Sequence, residues 1–170
     1  MLLKKMKEYV TPDDIFDSVC DITVEYLQNH FIEGVVLDLD NTLVPRSEDV
    51  PSLQCLSWVE DLKSAGIRLC IATNNSNKNR VIKVSNYLDI PAVCRMYKPL
   101  PYLMRKVLAD LIRLPAEKVL MVGDQHFSDI IGGNLVGMRT VYIAPLEFEA
   151  MYFRKLLLDM DKNLYEFFQE

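Results

Sequence analysis

The chain has 170 residues, half of them hydrophobic and a quarter charged, which suits one compact soluble domain able to bury its core without disulfides or a structural metal. Its 19 Lys and Arg against 24 Asp and Glu leave a net charge of −5. No basic stripe is present to neutralise phosphates, so a general nucleic-acid binder is excluded. Cys20, Cys55, Cys70 and Cys94 form no CxxC pair and have no histidine cluster beside them, which points to reduced thiols rather than zinc or a disulfide framework.

The first ten residues, MLLKKMKEYV, are basic but lack the apolar stretch and cleavage site of a secretory signal. No apolar run approaches the roughly 18 residues of a spanning helix. Cytoplasmic residence is therefore expected, with peripheral membrane contact left open. Residues 1–33 read as a helical extension, in which Ile15, Phe16 and Val19, then Val24 and Leu27, predict one or two helices beside the main body.

Five short apolar runs follow: Gly34 to Leu39, Ile67 to Ala72, Ala92 to Met96, Lys118 to Val122 and Thr140 to Ile143. Their lack of clear alternation suits strands covered on both faces. Between them, Leu53, Leu56, Val59 and Leu62 mark a helix opened by Pro51 and Ser52 and stopped by Gly66. Val81, Val84 and Leu88 mark a second helix, and Leu103, Val107, Leu108 and Ile112 a third. A fourth runs from about Phe127 to Val136, where Gly132 and Gly133 suggest close packing on the sheet. Finally, Phe153, Leu157, Met160, Leu164 and Phe167 predict an amphipathic helix over 146–170, which would dock on its own domain, a second copy or a membrane. The expected fold is one α/β domain over 1–170, with a core at 34–143 built on a mainly parallel sheet of about five strands.

The unusual polar residues fall at the ends of these runs. Asp38 and Asp40 lie two apart, so an extended backbone points both carboxylates to one side. Two acids sharing one small volume repel unless a cation or a proton intervenes. The second run ends in Thr73 and Asn74, the third is followed by Lys98 and Pro99, and the fourth by Gly123, Asp124 and then Asp129. Each alone reads as a turn, cap or surface residue. Together they converge on the sheet edge where open α/β folds bind ligands.

The segments DLDNT, TNN, KP and GDQHFSD resemble the four motifs of the haloacid dehalogenase-like (HAD) superfamily of aspartyl phosphotransferases. The resemblance covers about Gly34 to Ile143, and the flanks are similar to the YqeG-like branch of subfamily IIIA. It implies a three-layer Rossmann-like fold with Asp38 as nucleophile and Asp40 as general acid, then base. Mg²⁺ would be held by Asp38, Asp124 and the backbone carbonyl of Asp40. Thr73 and the Asn74 amide would bind the phosphoryl oxygens, Lys98 would offset their charge, and Asp129 would orient water and Lys98 from behind the metal. His126 reads as a rim residue or a satisfied loop histidine rather than a base, and His30 as structural.

The intervals from Asp40 to Thr73 and from Thr73 to Lys98 each hold one helix and one strand, leaving no room for a substantial cap. An open site favours a bulky phosphorylated substrate or a cover supplied by a neighbouring subunit. Members of the YqeG-like branch look similar to phosphatidylglycerophosphate phosphatases, which suggests a lipid phosphomonoester; Arg46, Lys78, Arg80 and Arg95 would permit it. The alternatives are a phosphatase for a soluble sugar, nucleotide or protein phosphate, and a non-catalytic module holding Mg²⁺ and phosphate. Homo-oligomer formation stays open.

Overall fold

The computed structural model describes residues 7–147. Their core is a sheet of six strands, all parallel, in the order β1-β6-β5-β2-β3-β4. In chain order the elements are β1 (Asp14–Phe16), α1 (Val24–Asn29), β2 (Gly34–Leu37), α2 (Leu53–Ser64), β3 (Arg68–Ala72), α3 (Lys78–Leu88), β4 (Ala92–Val93), α4 (Pro101–Val107), β5 (Val119–Gly123), α5 (Ile131–Val136) and β6 (Arg139–Ile143). The α/β class and the parallel sheet match the sequence expectation.

Side chains alternate between two cores, as the strand period requires. Val35, Leu37, Leu69, Ile71, Leu120 and Val122 face a cluster completed by Trp58, Val59 and Leu62 of α2 and Val81, Val84 and Leu88 of α3. Val36, Cys70, Ala72, Val119 and Met121 face the other cluster, with Met104 and Val107 of α4 and Leu108 and Ile112 beyond it. Ser52 caps α2 by accepting the Cys55 N–H at 3.1 Å. Gly133 belongs where the sequence suggested close packing: a Cβ there would lie 2.6 Å from Thr140 Cγ2 and 2.9 Å from Met121 Cβ.

Three expectations change. The sheet has six strands rather than about five, because Ile15 and Phe16 form a strand, not a helix, and pair with Tyr142 and Ile143 of β6. A three-residue edge strand is too short to display a period. The third apolar run pairs only at Ala92 and Val93, since Arg95 and Tyr97 adopt left-handed backbone angles (φ 55° and 49°) that end the extended chain. The fourth predicted helix begins as a π-helical turn, His126–Ile130, before α5. Apart from Leu146 and Glu147, the expected amphipathic helix over 146–170 lies outside the described residues. Among those described, no helix is long and apolar enough to cross a membrane.

Candidate active site

Chain order along the sheet reverses between β2 and β5. In one direction the chain proceeds to β3 and β4, in the other to β6, and the crevice beyond the strand ends at such a point is the place a parallel sheet leaves for a ligand. Asp38 lies there, its N–H bonded to Val122 O at 2.9 Å so that the β2 ladder continues one residue further. Leu37 and Leu39 on either side are fully buried. That alternation turns Asp38 and Asp40 together into a cavity of about 520 Å³. Thr73, Asn74, Asn75, Arg46, Arg80, Lys98, Gln125 and Ser128 also line it.

Lys98 is the hub. Its Nζ donates to Asp38 Oδ1 at 2.7 Å and to Asp129 Oδ1 at 2.6 Å, with all three side chains almost wholly shielded from water. Burial works against its charge, but Asp129 and Asp38 outweigh that and hold the Lys98 ammonium above its ordinary range. The lysine main chain is fixed by Asn74, whose Oδ1 accepts the Lys98 N–H at 2.7 Å while its Nδ2 donates to Lys98 O at 3.1 Å. Asn74 therefore spends its side chain on Lys98, which leaves its backbone amide as the group available to a ligand. The Thr73 hydroxyl accepts the Asn75 N–H at 3.1 Å and keeps its own proton to donate.

Asp124 follows β5 and contacts Thr42 Oγ1 at 3.5 Å. Burial, reinforced by the charges of Asp38 and Asp129, pushes its carboxyl up to about 8, with Arg46 acting in the other direction. Burial likewise raises Asp38 to about 6, against the pull of Lys98. Asp129 accepts from the Gln125 N–H at 3.1 Å and Ser128 Oγ at 3.2 Å besides Lys98. Gly123 makes room for it, since a Cβ at that position would lie 2.2 Å from Asp129 Oδ2.

Asp38, Asp124 and Asp129 each bring a carboxylate oxygen within 4.8 Å of the others. One lysine cannot neutralise three buried acids. The surplus negative charge and the all-oxygen donor set fit a hard divalent cation. Asp129 already serves three donors, so Asp38 and Asp124 are the carboxylates freer to reach an ion.

Asp40 is held differently. Its Oδ2 accepts from Asn75 Nδ2 at 2.7 Å, and its Oδ1 accepts from Arg80 Nε and Nη2 at 3.1 and 3.0 Å. Sequence reasoning counted Arg80 only among the cations that would permit a lipid phosphate and read Asn75 only as part of the TNN segment; their signal, TNN followed by an arginine in the first turn of the next helix, has meaning only once Asp40 lies opposite. His126 is buried rather than on the rim, its ring packed against Tyr142 at a tilt of 38° with centroids 4.5 Å apart. His30, outside the site, contacts Tyr26 O through Nδ1 at 2.8 Å.

Residues 52–137 match the family model described as haloacid dehalogenase-like hydrolase. The chain is 31% identical over 141 residues to a Bacillus subtilis protein named probable phosphatase YqeG, covering 83% of this chain and 81% of that one. Among solved structures, it is similar in fold to a hypothetical protein from Xanthomonas campestris (TM-score 0.55, 13% identity, 81% of this chain and 79% of that one). A second is the cobalt-bound deoxy-D-mannose-octulosonate 8-phosphate phosphatase of Haemophilus influenzae (TM-score 0.53, 12% identity, 67% and 69%).

Proposed function

The chain belongs to the haloacid dehalogenase-like hydrolases, and from that premise we propose that it is a Mg²⁺-dependent phosphomonoester hydrolase whose favoured substrate is phosphatidylglycerophosphate. The observation that carries the catalytic reading is that Lys98 and Asp38 line an open cavity at the strand ends while Lys98 bridges Asp38 to the buried Asp129, with Asp124 beside them. The phosphatase named among its relatives supports it.

In this reading a carboxylate oxygen of Asp38 attacks phosphorus as the bond from phosphorus to the substrate oxygen breaks, leaving an aspartyl phosphate. Asp40 gives its proton to the departing oxygen. It then takes a proton from water as that water attacks phosphorus and frees the Asp38 carboxylate. Thr73 Oγ1 and the Asn74 N–H donate to the phosphoryl oxygens, and the Lys98 ammonium holds the charge that collects there. Asp38, Asp124 and the Asp40 carbonyl are the groups we assign to Mg²⁺, with Asp129 holding Lys98 behind them. When bound, the ion offsets the repulsion between nucleophile and substrate.

The lipid assignment draws on the absence of a cap among the described residues, since α2 with β3 and α3 with β4 fill the two intervals where one could be inserted. It also draws on Tyr97, Leu100, Tyr102 and Phe127, large side chains 61 to 75% exposed on the segments carrying Lys98 and Asp129. Exposed apolar side chains on the segments that carry site residues suit an amphiphile.

The test is turnover of a phosphomonoester panel, with phosphatidylglycerophosphate included, by wild type and Asp38→Asn, with and without Mg²⁺. Expected are metal-dependent hydrolysis, preference for the lipid, and loss of at least about a thousandfold in the variant. A folded Asp38→Asn protein that retains activity refutes the nucleophile, and efficient hydrolysis of soluble phosphates with the lipid ignored refutes the substrate.

A further inference from the structure

Arg80 is 8% exposed, and every nitrogen of its guanidinium is bonded. Nε and Nη2 reach Asp40 Oδ1, Nη2 also donates to Pro45 O at 2.8 Å, and Nη1 donates to Glu48 O and to Asp49 Oδ1. The arginine is the third residue of α3, whose first turn is fixed by Asn77 Oδ1 accepting the Arg80 N–H at 3.2 Å. One rigid fork thus joins three things: a helix terminus, the Asp40 carboxyl and the 45–49 loop, whose Arg46 lines the cavity.

A buried guanidinium with several acceptors is commonly structural, because removing it strands the groups it served. Here the distribution of bonds says more. Both contacts to Asp40 fall on Oδ1, while Oδ2 accepts from Asn75 Nδ2. Arg80 fixes Oδ1 through two donors while Asn75 holds Oδ2 through one, so the two side chains together set the orientation of a carboxyl that lines the cavity, and Oδ2 keeps a second lone-pair site for a proton. Lysine could not do this, having neither the planar fork nor the reach to Asp40 and the loop at once.

We propose that Arg80 is a positioning residue for proton transfer at Asp40: it clamps Oδ1, presents Oδ2 to the departing oxygen, and ties that orientation to the 45–49 loop at the cavity wall. This rests on the phosphatase reading. In the step concerned, the O–H bond at Asp40 Oδ2 breaks, the proton passes to the substrate oxygen, and the electron pair of the breaking P–O bond goes to that oxygen as Asp38 bonds to phosphorus.

The requirement for a proton depends on the leaving group. Nitrophenolate departs unaided; phenolate and alkoxides need protonation as they leave, and a positioned acid contributes about a hundredfold or more for them. The experiment compares kcat/KM for p-nitrophenyl phosphate, phenyl phosphate and benzyl phosphate in wild type, Arg80→Lys and Arg80→Ala, since this ratio covers formation of the aspartyl phosphate alone. Both variants should lose about a hundredfold on phenyl and benzyl phosphate and less than about fivefold on p-nitrophenyl phosphate. Millimolar guanidinium should restore phenyl phosphate turnover in Arg80→Ala.

Thermal unfolding of each variant shows which are folded, and Arg80→Lys carries the comparison if Arg80→Ala does not fold. Equal losses on all three substrates in a folded variant overturn the positioning role and leave the phosphatase reading intact. Absence of turnover in the wild type overturns both.

Discussion

Asn74 holds Lys98 by its main chain, accepting from the Lys98 N–H at 2.7 Å and donating to its carbonyl at 3.1 Å. Twenty-four residues separate the two in sequence. A side-chain amide here does what a neighbouring strand would do, just where β4 has ended and Arg95 and Tyr97 turn the chain. The lysine root is thereby set, and Nζ reaches Asp38 and Asp129 simultaneously.

Replacing Asn74 with Ala should leave the Lys98 backbone without that partner. A stability loss of about 1 to 2 kcal/mol is expected from the two hydrogen bonds. Activity should drop about tenfold or more through kcat, because Lys98 is misplaced rather than removed. Urea unfolding and aryl phosphate kinetics measure both; an unchanged kcat would show that Lys98 needs no such anchor.

Gly123→Ala tests the contact between β5 and Asp129. The new Cβ would fall 2.2 Å from Asp129 Oδ2, so the carboxylate or the strand must shift. We expect a loss of about 1 to 3 kcal/mol together with a fall in turnover, as the carboxylate behind Lys98 moves. Full activity in the alanine variant would mean that Asp129 can relocate freely.

The acidic cluster predicts how magnesium and pH act together. Asp124 and Asp38 have carboxyls raised to about 8 and about 6, chiefly by burial. The metal-free folded protein then keeps protons that the unfolded chain releases near pH 4, so its stability falls as pH rises through the interval up to about 8. Divalent cations compete with those protons. Added Mg²⁺ should raise Tm by several degrees at pH 8.5 and by little at pH 5.5. Thermal scans at the two pH values decide it, and a larger magnesium effect at the acid value contradicts the assignment.

Substrate presentation is open to a separate test. Serine at Tyr97 and Phe127, exposed by 63 and 69%, removes apolar surface without touching the core. Hydrolysis of phosphatidylglycerophosphate in vesicles should fall by about tenfold or more while p-nitrophenyl phosphate turnover holds. Equal effects on both substrates would detach these side chains from lipid handling.

Sequence alone determined the parallel α/β frame, because buried strands and their covering helices follow from the spacing of apolar residues, a local property. It also placed Asp38, Thr73, Lys98, Asp124 and Asp129 at strand ends, since each directly follows or closely trails an apolar run. Ile15 and Phe16 were misread as helical because three residues at a sheet edge carry no period, and only pairing with β6 makes them a strand. Arg80 was one of several nearby cations and Asn75 one letter of the TNN segment until the fold set Asp40 against them. Tertiary structure decided these partnerships for a physical reason: ion pairs and hydrogen bonds between residues 24 to 40 positions apart depend on distances that chain order does not encode. The strand-end acids were legible one by one; which cation or amide holds each was settled when the strands came together.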